Sequence, residues 1–233
     1  MSSVRLDKYI SVAAAVSRSD AKSFIRKGQI SVNGQTVKSV DFKVLDNDVV
    51  KLLGDEVKYK EFVYLVMNKP SGILSASSDK RAKTVVDIVP EQYRHYSLFP
   101  VGRLDKDTTG LLLITNDGEF AHRIISPKSG IDKLYYVVLD GEVTEEHIRK
   151  FADGVTLADG TECLPATLER LSATEAEITI REGKYHQVKR MFGVIGLGVN
   201  KLKRISIGKL RLPDDLSEGD CRELTHEELS LLL

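Results

Sequence analysis

Cysteine is nearly absent from this 233-residue chain: Cys163 and Cys221 are the only two, with no CxxC pairing. That excludes a disulfide framework and a cysteine-based zinc site, and it suits a reducing compartment, so a cytoplasmic protein is expected. Long apolar runs are missing too. No stretch approaches the roughly 20 residues a membrane span needs, and no membrane partner is expected. Residues 9–16 are apolar and follow Arg5 and Lys8, but Asp7 interrupts the basic flank and the run is short for a signal peptide. Amphipathic spacing explains it better. His95, His122, His147, His186 and His226 show no metal-ligand spacing. Neither GxxxxGK[ST] nor GxGxxG occurs, and Gly193, Gly196 and Gly198 are ordered as a turn. No metal and no cofactor is therefore expected.

Net charge is zero, yet it is unevenly spread. Residues 1–60 carry +4, and residues 61–233 carry −4. Within the acidic part, Arg181 to Arg211 holds nine basic residues against Glu182 alone. A neutral chain with two basic patches can bind a polyanion locally.

Leu6, Ile10, Ala13 and Ala14 recur at helical spacing and predict a helix near residues 5–15. Ser17-Arg18-Ser19-Asp20 reads as a capping box for a second helix, which runs to Lys27 and is ended by Gly28. Arg18, Lys22 and Arg26 form one basic stripe along it, while Ala21, Phe24 and Ile25 face inward. Strand-like runs at 29–32 and 35–37 flank Asn33-Gly34, a hairpin signal. Residues 51–60 are charged and contain Gly54, which places a linker there and divides the chain into domains 1–60 and 61–233.

Beyond residue 61 strands are predicted at 62–67, 110–115, 134–139 and 176–180, and helices at 145–151, 185–195 and 227–233. This pattern gives an α+β domain on an antiparallel or mixed sheet. Tyr136, Leu164, Leu202 and Ile205 are expected in its core. The segment from Val101 to Thr115, VGRLDKDTTGLLLIT, carries Arg103 and Asp105 two apart, then a Thr-Thr-Gly turn into an apolar run. That is a functional loop fixed by a buried strand, with Asp105 as candidate nucleophile. A lone Asp beside an Arg is more often a solvated ion pair of little worth, so other motifs must decide.

They do so by resemblance. Residues 4–50, with Arg5-Leu6-Asp7-Lys8-Tyr9-Ile10 and Ser17-Arg18-Ser19-Asp20-Ala21, resemble an S4 RNA-binding domain. Four segments in order over most of 62–233 resemble the pseudouridine synthases: Asn68-Lys69-Pro70-Ser71-Gly72, Val101 to Thr115, Lys133-Leu134-Tyr135-Tyr136-Val137, and Glu182 to Met191. His122-Arg123-Ile124 and Ser126-Pro127-Lys128 are similar to the RsuA type, which acts on small-subunit ribosomal RNA. Leu134 and Lys184 depart from the Thr and Arg usual there.

The resemblance implies a pseudouridine synthase fold and a cofactor-free isomerisation of uridine in 16S ribosomal RNA. It implies Asp105 as catalytic carboxylate, Lys189 as its ion-pair partner, and Tyr135 stacking on the displaced base. RNA contacts are expected from Arg5, Arg18, Lys22, Arg26 and Lys27, and from Arg103, Lys184, His186 and Arg190. Arg103 has a rival reading, a surface salt bridge with Asp107. The expected partner is 16S ribosomal RNA or a partly assembled 30S particle, met by a monomer. Two alternatives remain: the same chemistry on 23S ribosomal RNA, or a non-catalytic ribosome-assembly factor of S4 type. The want of a long basic C-terminal tail disfavours the first, and the intact Asp105, Tyr135 and Lys189 the second.

Overall fold

A computed structural model describes residues 3–232 as two compact units. The first runs to Val63 and takes in Glu91–Ser97; the second comprises Tyr64–Pro90 and the chain from Leu98 onward.

In the first unit β1 (Ser3–Arg5) leads into α1 (Leu6–Ala13) and α2 (Arg18–Arg26). The hairpin β2 (Ile30–Val32) and β3 (Gln35–Thr36) follows, then β4 (Lys43–Leu45), β5 (Val50–Leu52) and β6 (Asp55–Glu56). The sheet order is β3-β2-β5-β6, and β4 pairs with β1. The first helix is shorter than its periodicity predicted, because Ala15 turns left-handed at φ 55°. Ser17 caps α2, its hydroxyl accepting from the Asp20 N–H at 3.1 Å. Asn33 and Gly34 both take positive φ, 51° and 81°, as a tight hairpin turn requires. Leu6, Ile10, Ala21, Ile25, Ile30 and Val50 close the core.

The second unit holds β7 (Tyr64–Lys69), β8 (Phe99–Val101), β9 (Thr109–Thr115), α3 (Gly118–Ile125), β10 (Lys133–Leu139), α4 (Glu145–Asp153), β11 (Thr167–Arg170) and β12 (Glu175–Ile180). Then come α5 (Gln187–Val194), β13 (Val199–Ile207), β14 (Leu210–Arg211), β15 (Cys221–Glu223) and α6 (His226–Ser230). The strands form one mixed sheet in the order β11-β12-β10-β13-β9-β7-β15, with β14 on β13 and β8 on β9. Every pairing is antiparallel except β13 with β9. At that parallel seam Gly110 lies opposite Arg204. Gly110 has φ +98°, and a Cβ there would collide with the Arg204 backbone, so only glycine closes the seam.

Several expectations shift. The strand predicted from Phe62 starts at Tyr64 and reaches Lys69. The helix predicted from Tyr185 starts at Gln187, because His186 is left-handed at φ 48°. The terminal helix begins at His226 and closes at Ser230; Leu233 lies outside the described residues. Leu202 is buried as expected, but Leu164 is half exposed and Ile205 only half-buried. Tyr136 is not core either: the inward row of β10 is Lys133, Tyr135, Val137 and Leu139. The Tyr136 hydroxyl instead donates to Glu175 on the other face, at 2.5 Å.

Candidate active site

The loop from Gly102 to Thr108 joins β8 to β9 and is braced from below. Gly102 starts it at φ +78°. Lys69 at the end of β7 is wholly buried, and its ammonium donates to the carbonyl oxygens of Thr108 (2.9 Å), Pro70 (3.0 Å) and Lys106 (3.1 Å). Burial pushes this lysine down to about 8, against the opposing pull of the Asp107 and Asp105 carboxylates. Ser75 holds the loop at Leu104, and the Gly72 N–H donates to Lys106 O at 2.8 Å. The residue before Leu104 and the residue after it, Arg103 and Asp105, are thereby presented on one wall of a cavity of about 750 Å³.

Strands β10 and β13 form the opposite wall. Tyr135 and Arg204 are cross-strand partners there, and Lys133 stands two residues before Tyr135 on the same face. The turn leading into α5 closes the third side with Lys184, Tyr185 and His186. Asp105 keeps about a fifth of its side chain exposed. Its Oδ2 lies 3.4 Å from Lys189 Nζ, and its Oδ1 lies 3.4 Å from His186 Nε2. Lys189 also approaches Asp107 Oδ1 at 2.5 Å. That hydrogen bond holds the Asp107 carboxyl below its ordinary range, outweighing partial burial. Asp107 therefore pairs with Lys189, where the sequence offered Arg103 as a partner, and the lysine serves two carboxylates.

The arrangement places an accessible carboxylate, held beside a cation, across a cavity from the ring of a buried tyrosine. A carboxylate so placed can act as nucleophile or base toward a planar group resting on that ring.

Residues 63–193 match the RNA pseudouridylate synthase family, and residues 4–50 match the S4 domain family. This chain belongs to the RNA pseudouridine synthases. It is 43% identical to an uncharacterized RNA pseudouridine synthase of Bacillus subtilis, over 98% of each chain. It is 39% identical to ribosomal small subunit pseudouridine synthase A of Escherichia coli, over 97% of this chain and 99% of the relative. A crystal structure of a pseudouridylate synthase superposes with a TM-score of 0.70 at 37% identity, covering 99% of this chain and all of the other.

The remaining expected RNA-contact residues of the synthase are disposed unequally. Lys184 pairs with Glu182 at 2.7 Å, and Arg190 with Asp159 at 2.5 Å. Arg5 and Arg18 converge on Asp7, at 3.1 and 3.0 Å, and Asp7 is 1% exposed. Burial raises that carboxyl, but the two arginines outweigh it and hold Asp7 below its ordinary range. Arg26 and Lys27 stay exposed and Lys22 half-buried. Sequence reading did not single out Lys69, Ser75, Lys133 or Arg204. The signal available for two of them was alternation: Lys133 and Tyr135 share a strand face, as do Leu202 and Arg204. Among the described residues no His, Cys, Asp or Glu group forms a metal-holding cluster, and no helix is long and apolar enough to cross a membrane.

Proposed function

We propose that this synthase converts a uridine of 16S ribosomal RNA to pseudouridine, with Asp105 as the catalytic carboxylate. The observation carrying this reading is that Asp105 and Tyr135 line one cavity while Lys189 pairs with Asp105, the three coming from elements distant in sequence. The name of the Escherichia coli relative supports ribosomal small-subunit RNA as substrate class.

The reaction breaks the N1–C1′ bond, turns the base and rejoins it through C5, so no atom enters or leaves. Asp105 acts at the sugar, either attacking C1′ or taking the C2′ proton. Lys189, 3.4 Å away, is the ion-pair partner of that carboxylate and fixes its orientation. Tyr135 supplies the flat surface on which the base rests and turns. The uridine must leave its stack to arrive, at a cost of a few kcal/mol, and Arg103 at the cavity rim holds the opened strand. Residues 1–60 supply affinity through phosphate contacts, which position the enzyme without reading sequence. Residues 61–233 carry the chemistry, and the protein works as a monomer in the cytoplasm.

The test is to map pseudouridines after treating unmodified 16S and 23S transcripts with the wild type and with Asp105→Asn. A new pseudouridine in 16S with the wild type alone is expected. Modification of 23S alone would reassign the substrate, and activity in Asp105→Asn would remove Asp105 from its role.

A further inference from the structure

Arg204 is 3% exposed, yet it lines the cavity that holds Asp105 and Tyr135. Its Nε donates to the Leu111 carbonyl oxygen at 2.8 Å. Its Nη2 is shielded from water and has no acceptor among the described residues. A buried guanidinium nitrogen without an acceptor carries the full penalty of its lost hydration. Lys133, 9% exposed on the same wall, donates to the Ile131 carbonyl oxygen at 3.1 Å, one acceptor for a group with three donors. Two cations thus stand side by side on an inner wall, short of acceptors. Three cations near the loop are already engaged: Lys189 by two carboxylates, Lys184 by Glu182, Lys69 by three carbonyls.

The position of Arg204 selects its ligand. It is the cross-strand partner of Tyr135, with its guanidinium carbon 6.0 Å from the tyrosine ring centre. A base resting on that ring brings its edge to Arg204, while the sugar faces Asp105. We propose that Arg204, with Lys133 beside it, binds the carbonyl oxygens of the uracil base and takes up the negative charge that reaches them when the N1–C1′ bond breaks. The electron pair of that bond stays with the base and spreads over O2 and O4. C1′ is compensated by a new bond to the Asp105 oxygen, or by the C2′ electron pair, whose proton passes to Asp105. The anion then bonds to C1′ through C5, as the Asp105 oxygen leaves C1′ or Asp105 returns the proton to C2′, and the C5 proton passes to N1. Charge on the base oxygens is greatest after the bond opens, so fixed donors there stabilise the transition state more than the bound uridine. A phosphate offers the same anionic oxygens, but it stays attached to the sugar beside the half-exposed loop.

This inference rests on the proposed roles of Asp105 and Tyr135, and the experiment separates the two. Single-turnover rates at saturating enzyme are measured on 16S and 23S transcripts made with uridine, 2-thiouridine or 4-thiouridine, together with RNA affinity. Product formation by the wild type on the uridine transcripts tests the underlying reading by itself. Arg204→Gln is expected to slow the uridine reaction about 100-fold, the usual scale for removing one such donor, with RNA affinity within about threefold. On the transcript whose sulfur replaces the bonded oxygen, that loss is expected to shrink to under tenfold, because sulfur is a poor acceptor and the two changes cease to add. Lys133→Gln is expected to show the same dependence with a smaller loss, and serves if Arg204→Gln does not fold by circular dichroism. An affinity loss with unchanged saturating rate would assign the cations to a phosphate. Equal losses on all three transcripts would make Arg204 only a brace between β13 and β9. Either result overturns the proposal.

Discussion

Ser75 and Leu104 exchange two hydrogen bonds: the Ser75 hydroxyl donates to the Leu104 carbonyl oxygen at 2.9 Å, and the Leu104 N–H donates back at 3.1 Å. Both residues are buried, and Leu104 is the immediate neighbour of Asp105. Ser75→Ala leaves a buried donor and acceptor unpaired, at about 2 kcal/mol. The melting temperature should fall by roughly 5 °C for a chain of this size. The rate at saturating RNA should fall about tenfold through misplacement of the carboxylate, with KM nearly unchanged. A melting shift with a normal rate would show that the loop keeps its aim without Ser75.

Lys189 faces two carboxylates, and its two pairings predict unequal consequences. Lys189→Met strands Asp105 beside the cavity, while Asp107→Asn frees the lysine for Asp105 alone. Asp105 and Lys189 keep about a fifth and a quarter of their side chains exposed. Solvent therefore screens the pair, and Lys189→Met should cost less than about 1 kcal/mol of stability, well short of a buried pair. Its rate should fall by more than about 100-fold, whereas Asp107→Asn should stay within about threefold of wild type. If the two variants lost rate equally, Asp107 would itself have a part in the reaction.

Lys69 should make stability depend on alkaline pH. Its pKa is depressed to about 8 in the folded protein by burial, from an ordinary value of 10.5. Between those values the unfolded chain binds the proton and the folded chain does not, so raising pH favours folding. The wild type should gain about 2 kcal/mol relative to Lys69→Met between pH 8 and pH 10. Urea midpoints of both proteins across that range check the sign. A constant difference would mean the three carbonyls hold the ammonium charged throughout.

Lys22, Arg26 and Lys27 lie along the outside of α2 and its end, clear of the Asp7 cluster that engages Arg5 and Arg18. Replacing all three by Ala should lower the salt slope of RNA binding by about 2, at ~0.7 per single-strand contact. KM should rise while kcat holds, since such contacts serve substrate and transition state alike. Arg18→Ala should instead destabilise the first unit, because it removes half the compensation of a buried carboxylate. A triple variant inactive even at saturating RNA would give the first unit a share in catalysis.

Much of this was legible in the chain. Asn33-Gly34 and Ser17 state local geometry that no distant contact overrides, and the alternation of β10 separates Tyr135 from Tyr136 once the strand is placed. The two-residue spacing of Asp105 and Asp107 was visible and the family resemblance gave Lys189 to Asp105, but that the same lysine also serves Asp107 was not, since Lys189 arrives from a helix distant in sequence. The strand β13 escaped notice because Lys201, Lys203 and Arg204 read as a surface patch, although Arg204 is buried. Lys69 was hidden for the same reason: a lysine in a turn motif reads as solvated, and only the fold supplies three carbonyls to enclose it. Helix α3 was missed although Asp117 caps it, accepting from the Glu119 and Phe120 N–H groups at 3.0 Å.

Gly110 joins the strand that leaves the Asp105 loop to the strand that carries Arg204, and no other residue fits there. Asp105 belongs to one side of that joint, while Tyr135, Arg204 and Lys189 belong to the other. The site thus needs both sides of the joint and is complete in neither half alone. A nascent or damaged chain with the joint open holds an aspartate without its lysine and a tyrosine without an aspartate. The meeting of the two sides rests on one residue that has no side chain.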